Sequence, residues 1–179
     1  EGSTFNAAYC NSPLCVPSRL SFMTGRYVSR CKGWDNATPL PSDTITWPYL
    51  LRSIGYDAVL SGKMHLIGSD KLHGFNEQLS YDPHGGVYHD PAIANQLGLS
   101  EKGGHPIHSW RDGIPTADNP WPDVRVAKSG RTAMIDADDA IEEAALQYLS
   151  TAATTSEPFA LCVGFVAPHF PFVVPEPYF

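Results

Sequence analysis

The sequence predicts an α/β protein built on a mixed, mainly parallel sheet that is flanked by helices. Two stretches of the chain carry this prediction, because each reads as a helix, a turn and a short apolar run in that order. The first stretch covers residues 44–62 and the second covers residues 134–166. Helices that alternate with buried strands are typical of parallel sheets, whose faces they cover.

The first stretch begins with a helix predicted from Thr44 to Ile54, where apolar residues recur at helical spacing. Pro48 is tolerated in the first turn of such a helix, and Gly55 is a typical stop. The next residues, Asp57–Gly62, form a short apolar run that ends in a glycine. This pattern indicates a buried strand.

The second stretch begins with a helix that has one apolar and one acidic face. The apolar run from Phe159 to Val166 follows a polar turn and predicts a central strand covered on both faces. We interpret the acidic residues of the helix as solvated surface and not as metal ligands. The apolar face comprises Met134, Ala137, Ile141, Ala144 or Ala145, and Tyr148, and the acidic face comprises Asp138, Asp139, Glu142 and Glu143.

A long region between the two stretches, residues 80–130, keeps neither a helical nor a strand period. A loop of this length inside a compact domain is usually functional or disordered. Its histidines and tryptophans favour a loop-rich insertion that faces the substrate. They are His84, His89, His105, His108, Trp110 and Trp121.

The composition excludes several classes of protein. A chain of 179 residues with 42% hydrophobic content buries a real core, which argues against intrinsic disorder. The excess of 19 acidic over 12 basic side chains argues against a general nucleic-acid-binding protein. No stretch approaches the ~20 apolar residues that span a bilayer. The four cysteines lack both zinc-site spacing and the density of a disulfide-stapled mini-protein.

Reactive side chains follow both predicted strands. The first strand runs into Lys63 and His65, and the second runs towards His169. Open α/β sheets bind ligands at the carboxyl ends of their strands, so these three residues are candidates for a site. Histidine is the usual general acid or base near neutral pH, and lysine supplies a cation for an anionic substrate.

A third candidate element begins at Cys15. Pro17 suits the first turn of a helix and Gly25 its end, so Cys15 is predicted at a helix N-terminus, which favours negative charge. Arg19 lies one turn further on, close to the same face. The arrangement indicates a modified or ionised cysteine in a site that processes anions. The alternative is a buried structural cysteine beside a helix-capping Pro-Ser pair.

The whole string from Cys15 to Arg26, Cys-x-Pro-Ser-Arg-x-x-x-x-Thr-Gly-Arg, resembles the signature of type I sulfatases. The segment Ser61–His65 is similar to the Gly-Lys-x-His element of that family, and His169 stands where the family has its strand-end histidine. The resemblance covers residues 1–179 and implies an alkaline-phosphatase-like fold. Because family members are much longer, it also implies that this chain contains only part of the catalytic domain.

The resemblance further implies an activity, the hydrolysis of an organic sulfate ester. Cys15 would be converted to formylglycine by a formylglycine-generating enzyme, and the aldehyde hydrate would be the nucleophile. Arg19 would steady that hydrate and Lys63 would bind sulfate oxygens. His169 would help to protonate the leaving oxygen, and His65 would assist the collapse of the sulfated intermediate.

The resemblance also implies a calcium ion. Modified Cys15 would be the one calcium ligand within this sequence. The family's paired aspartates would precede Glu1, and its Asp-Asn pair and a further lysine would follow Phe179. The acidic pairs of the second helix are not assigned to the metal.

Two segments leave the substrate open between a small-molecule and a carbohydrate sulfate. Ser61–Phe75 resembles choline-sulfatases, whereas Ala167–Pro175 resembles carbohydrate- or aryl-directed members. The nearest alternative function is a phosphodiesterase or phosphonate monoester hydrolase, which uses the same modified cysteine. The others are a fragment without metal ligands that is inert or only binds a partner, and a secreted domain with paired cysteines.

Overall fold

The computed structural model describes residues 2–82, 127–169 and 172–179. Within these ranges the chain forms four helices and five strands. The elements are α1 (Cys15–Thr24), α2 (Val28–Cys31), α3 (Trp47–Ser53), β1 (Asp57–Gly62), β2 (Glu77–Gln78), β3 (Ala127–Ser129), α4 (Ala133–Ala152), β4 (Phe159–Gly164) and β5 (Phe172–Val174).

The main sheet has three strands in the order β2-β1-β4, and both pairings are parallel. β1 and β4 pair along their whole length, from Asp57 opposite Phe159 to Gly62 opposite Gly164. Both strands therefore end at the same edge of the sheet. The predicted α/β class with a mainly parallel sheet is confirmed.

The central strand of the described sheet is β1 and not β4. Five of the six β1 residues are buried, whereas β4 pairs on one side only and leaves Phe159 and Val163 more than a third exposed. The prediction of a central strand over Phe159–Val166, covered on both faces, is therefore wrong for the described part of the chain. An apolar run predicts burial, but the order of strands depends on distant segments.

The helix of the second half follows the predicted pattern, whereas the first differs from its prediction: α3 begins at Trp47 and not at Thr44, and the apolar Leu50 and Ile54 are 58% and 69% exposed. α3 carries its proline in the first turn, and Gly55 follows it with a φ of 90°. Thr132 caps the start of α4, and its side chain accepts a hydrogen bond from the Ile135 amide. Its buried residues are Met134, Ile135, Ala137, Ile141 and Ala145.

The hydrophobic core fixes α1 against the main sheet. Val16, Leu20 and Met23 recur at helical spacing on α1 and are at most 1% exposed. They pack in one cluster with Ala58 and Leu60 of β1. Cys15 immediately precedes the first of these anchors, so burial of the helix face sets the position of Cys15.

A second, smaller sheet pairs β3 with β5 in parallel. β3 falls inside the region predicted as a loop-rich insertion, residues 80–130, and is a short strand within it. Residues 83–126, with the histidines and tryptophans predicted to face a substrate, lie outside the described residues. Among the residues that the structure describes, no helix is long and apolar enough to cross a membrane.

Candidate active site

Cys15 is the first residue of α1, as its sequence context predicts. The residue before it, Leu14, is extended and offers no side-chain cap to the helix. Asn36 takes this role, because its Oδ1 accepts a hydrogen bond of 3.0 Å from the amide of Val16. A distant loop thus satisfies one of the free amide groups beside Cys15. The Cys15 side chain is half-buried.

Arg19 joins α1 to the end of β1. Its Nη1 donates a hydrogen bond of 2.8 Å to the backbone oxygen of Lys63. Because Arg19 lies four residues after Cys15 in the same helix, the two side chains leave neighbouring positions of one face. The guanidinium therefore connects the cysteine helix to the strand end that carries Lys63.

Lys63 is a buried cation at the end of β1, only 3% exposed. Burial lowers the pKa of its ammonium group, and negative charge at Cys15, Asp82 and Asp138 opposes that shift. The positive charge of Arg19 lowers the pKa further. An anion in contact with Lys63 and Arg19 would offset part of the cost of burying Lys63 beside the half-buried Arg19.

Two paired glycines allow the backbone to close around Lys63. The Lys63 amide donates a hydrogen bond of 2.7 Å to the Gly164 oxygen. A β-carbon at Gly164 would stand 2.0 Å from the Lys63 oxygen, and one at Gly62 would stand 2.5 Å from the Gly164 oxygen. Gly62 also has a φ of 83°, which L side chains rarely adopt. Neither position has space for a side chain.

His65 follows Lys63 in an unusual backbone conformation, with a φ of 56°. The amides of Met64 and His65 both donate hydrogen bonds to Oδ2 of Asp82, the first at 2.8 Å. Burial lowers the pKa of His65 to about 4, and the negative charge of Asp82 opposes this shift. At neutral pH the imidazole is therefore neutral and able to accept a proton.

A cleft of about 510 Å³ opens over these elements. It brings together three of the five predicted site residues, Cys15, Arg19 and Lys63, with Ser18 and Cys162 beside them. His65 and His169 do not line it. A larger cleft of about 650 Å³ lies at the opposite end of β1 and β4, near Asp57 and Phe159, and contains none of the five.

His169 lies beyond the end of β4, in a turn whose backbone is tied to α4. Its amide donates to the oxygen of Val166 at 3.1 Å. The two carboxylate oxygens of Asp138 accept hydrogen bonds from the amides of Val166 and Ala167, at 2.7 and 2.8 Å. The interpretation of Asp138 as solvated surface is therefore wrong: its carboxylate holds the segment that leads to His169. Asp139 does lie at the surface, paired with Arg131.

The described residues do not by themselves build a calcium site. Calcium takes six to eight oxygen ligands in proteins. No group of three or more histidine, cysteine, aspartate or glutamate side chains in residues 2–82, 127–169 and 172–179 is arranged to hold a metal ion. Within the described ranges, Cys15 lies in one cleft with Arg19 and Lys63 and belongs to no such group. The cysteines of these ranges are free thiols, so no disulfide pairs them.

Sequence reasoning missed three residues that support the site. Asn36, Asp82 and Asp138 each accept hydrogen bonds from backbone amides at the start of α1, after β1 and after β4. Asp138 lies in an acidic helix face, so its sequence context indicates only a surface residue. Asn36 and Asp82 are not part of a catalytic sequence motif. A side-chain oxygen that accepts a hydrogen bond from a distant backbone amide produces no local sequence pattern.

The fold and the cleft define an α/β protein of the alkaline-phosphatase-like class. The solved structure of phosphonate monoester hydrolase from Silicibacter pomeroyi aligns with 92% of this chain and 34% of that chain, with a TM-score of 0.57 and 24% identity. The family model described as Sulfatase matches residues 1–179. The chain belongs to the sulfatase family.

Two curated relatives define the family context further. Choline-sulfatase from Rhizobium meliloti (strain 1021) is 34% identical over 178 residues, which covers 97% of this chain. N-acetylglucosamine-6-O-sulfatase from Bacteroides thetaiotaomicron is 34% identical over 91 residues, or 51% of this chain. The chain spans 32% and 16% of their respective lengths. Sulfatases are generally metal-binding and formylglycine-dependent enzymes.

Proposed function

We propose that the protein containing this chain hydrolyses an organic sulfate monoester to an alcohol and sulfate, with a nucleophile made from Cys15. The observation that carries the proposal is the position of Cys15 at the start of α1, in one cleft with Arg19 and Lys63. A helix N-terminus and two cations favour an anion at that point. The family membership supplies the kind of anion.

The nucleophile is proposed to be formylglycine, formed at Cys15 by a formylglycine-generating enzyme. Its aldehyde hydrate supplies an oxygen that attacks sulfur, and the remaining hydroxyl allows sulfate to leave without water attacking at a hindered centre. An unmodified thiol offers no second hydroxyl for that release.

The two cations of the cleft bind the charged part of the substrate. Lys63 holds non-bridging sulfate oxygens, and its burial makes the attraction stronger than at the surface. Arg19 keeps its bond to the Lys63 oxygen and steadies the modified side chain of residue 15. The cleft is thus shaped for an anion before substrate arrives.

Two histidines are proposed to move protons. His65 accepts a proton from the modified residue, because burial keeps its imidazole neutral near pH 7. His169 donates a proton to the leaving oxygen, as its place beyond β4 and the family resemblance support. Calcium is expected from the family, although the described residues do not by themselves assemble its ligands.

The decisive variant is Cys15→Ala in the complete enzyme. We expect turnover of p-nitrophenyl sulfate to fall to background while the urea unfolding curve is retained. Cys10→Ala is the matched control, since Cys10 is an exposed thiol outside the cleft. Mass spectrometry of the peptide that contains residue 15 checks the modification. Full activity of Cys15→Ala, or an active preparation with only unmodified Cys15, would overturn the proposal.

The substrate is proposed to be a small-molecule or carbohydrate sulfate. The name of one curated relative, a choline-sulfatase, supports a small-molecule sulfate, and the name of the other, an N-acetylglucosamine-6-O-sulfatase, supports a carbohydrate sulfate. Relative kcat/KM for choline sulfate and for sulfated N-acetylglucosamine separates the two.

A second candidate function is hydrolysis of a phosphonate monoester or phosphate diester. It is favoured by one observation, the alignment with phosphonate monoester hydrolase at a TM-score of 0.57. Steady-state comparison of an aryl sulfate with an aryl phosphonate decides between them. Calcium titration of the isolated chain and of the complete enzyme tests the inert-fragment alternative. That alternative holds if the isolated chain is inactive and calcium leaves its unfolding unchanged, whereas calcium stabilises the complete enzyme.

A further inference from the structure

Asp82 makes an unusual connection to the turn that follows β1. One oxygen of its carboxylate, Oδ2, accepts hydrogen bonds from two successive amides, those of Met64 and His65. Asp82 is only 6% exposed; its bond to the Met64 amide is buried and its bond to the His65 amide is partly buried. The bonds link residues 17 and 18 positions apart in the chain.

The same turn is conformationally costly without such support. His65 has a φ of 56°, and for a residue with a β-carbon this left-handed conformation costs roughly 1–2 kcal/mol. Charge-assisted hydrogen bonds to backbone amides are strong enough to offset that cost, at about 1.5–3 kcal/mol each. The conformation of His65 therefore depends on where the Asp82 oxygen lies.

The turn also determines the direction of two proposed catalytic side chains. Lys63 precedes the first bonded amide, and His65 carries the second. The charge of Asp82 is close enough to raise the pKa of both groups against the effect of burial. Asp82 therefore contacts the backbone of the turn directly and lies close to both ionisable side chains.

We propose that Asp82 is a positioning residue of the site, whose Oδ2 fixes the Lys63–His65 turn so that Lys63 lies in the cleft and His65 keeps a fixed place two residues further on. The inference rests on the proposed function, because it assigns Lys63 and His65 to sulfate hydrolysis. Asp82 acts through these two residues.

Two substitutions separate the position of the oxygen from its charge. Asp82→Asn keeps an oxygen in place for both amides and removes the charge, whereas Asp82→Glu keeps the charge and displaces the oxygen by one methylene. If position decides, kcat for p-nitrophenyl sulfate in the complete enzyme stays within about tenfold of wild type in Asp82→Asn. In Asp82→Glu it falls by roughly a hundredfold, the cost of about 1 Å of misplacement, with KM changed much less.

Asp70 provides a matched control in the same loop. Its Oδ1 also accepts two successive amides, those of Leu72 and His73, at 3.0 and 2.9 Å. Asp70 does not contribute to the pKa shifts given for Lys63 and His65. Asp70→Glu is expected to lower stability with kcat per folded molecule unchanged. An equal loss of kcat in Asp70→Glu and Asp82→Glu would mean that Asp82 only stabilises the fold, and it would contradict the positioning role.

Amide hydrogen exchange gives a readout that does not need turnover. Protection of Met64 and His65 is expected to persist in Asp82→Asn and to be lost in Asp82→Glu. If wild-type enzyme fails to cleave any sulfate ester, the proposed function fails, and the exchange measurement still decides whether Asp82 fixes the turn. A smaller kcat in Asp82→Asn than in Asp82→Glu, or unchanged protection in both, would overturn the inference.

Discussion

The guanidinium of Arg19 donates a hydrogen bond to the backbone oxygen of Lys63 at 2.8 Å. This bond spans 44 positions of the chain and connects the helix that begins with Cys15 to the strand end with the buried lysine. The bond places the guanidinium of Arg19 beside the backbone of the buried Lys63. The positive charge of Arg19 lowers the pKa of Lys63, so an anion bound beside both groups would favour the charged lysine.

The bond predicts that lysine cannot replace Arg19. In Arg19→Lys the charge is kept, but one flexible ammonium replaces the planar fork that contacts the Lys63 oxygen and is proposed to steady the modified residue 15. We expect kcat/KM for p-nitrophenyl sulfate to fall by roughly a hundredfold, typical for loss of one oriented donor to a developing anion. Arg52→Lys is the control, because Arg52 donates similarly to the Gly74 oxygen at 3.2 Å and does not line the cleft. Equal losses in both variants would contradict the role of Arg19.

The strand-end glycines predict a severe effect of one methyl group. In Gly164→Ala the new β-carbon meets the Lys63 oxygen, which is backbone and cannot rotate away. We expect the free energy of unfolding to fall by about 3 kcal/mol or more, the upper range for overpacking. Gly25→Ala is the control, since its β-carbon has open space and only the left-handed φ of 65° costs about 1–2 kcal/mol. Urea unfolding that ranks Gly25→Ala as the more damaging change would refute this account.

Burial of His65 predicts a pH dependence of stability. Its pKa is about 4 in the folded protein, against an ordinary value of 6.5. Between these values the unfolded chain binds a proton that the folded protein does not bind. The contribution to stability is therefore fully present above pH 6.5 and is lost as the pH falls towards 4.

Urea unfolding across this pH window tests the sign. The slope of unfolding free energy against pH should be positive in wild type and smaller in His65→Asn. Burial also lowers the pKa of His73, but that contribution is common to both proteins and cancels in the difference. Parallel slopes in wild type and variant would show that His65 titrates alike in the folded and unfolded states.

The acidic face of α4 predicts opposite results for two adjacent aspartates. In Asp138→Asn one of the two oxygens that accept from Val166 and Ala167 becomes a donor. We expect a loss of about 1–3 kcal/mol in unfolding free energy, because an amide is left without its acceptor. Asp139→Asn removes only an exposed pair with Arg131, which solvent screens, so it should change stability much less than Asp138→Asn does. The comparison fails if the two variants unfold at the same urea concentration.

Local patterns were sufficient to predict several elements. β1 was predicted with its observed limits, because glycine ends a short apolar run, and α4 was predicted from the period of its apolar face. Cys15, Arg19 and Lys63 were selected by helix and strand ends, and they line one cleft. Their catalytic roles remain predictions.

Features that depend on distant partners could not be predicted in the same way. The exposed edge of β4 is set by which strands lie beside it, and apolar content does not encode that order. Asp82 and Asp138 resemble any surface aspartate until the fold brings backbone amides to their oxygens. The sequence pattern predicts reactive side chains at strand ends, whereas the orientation of those side chains depends on contacts with residues distant in the chain.

The register of β1 with β4 has a consequence for how the protein folds. It pairs residues that are about a hundred positions apart, and closing so long a loop is slow and entropically expensive. α1 and β1 meet through shorter loops, so we expect them to associate first. The pairing of β4 with β1, which includes Gly164, would form afterwards. Only then does the Lys63 amide find its acceptor, the Gly164 oxygen, and only then is the cleft complete. We therefore expect catalytic competence to appear in the last kinetic phase of refolding, after most of the helical signal has returned.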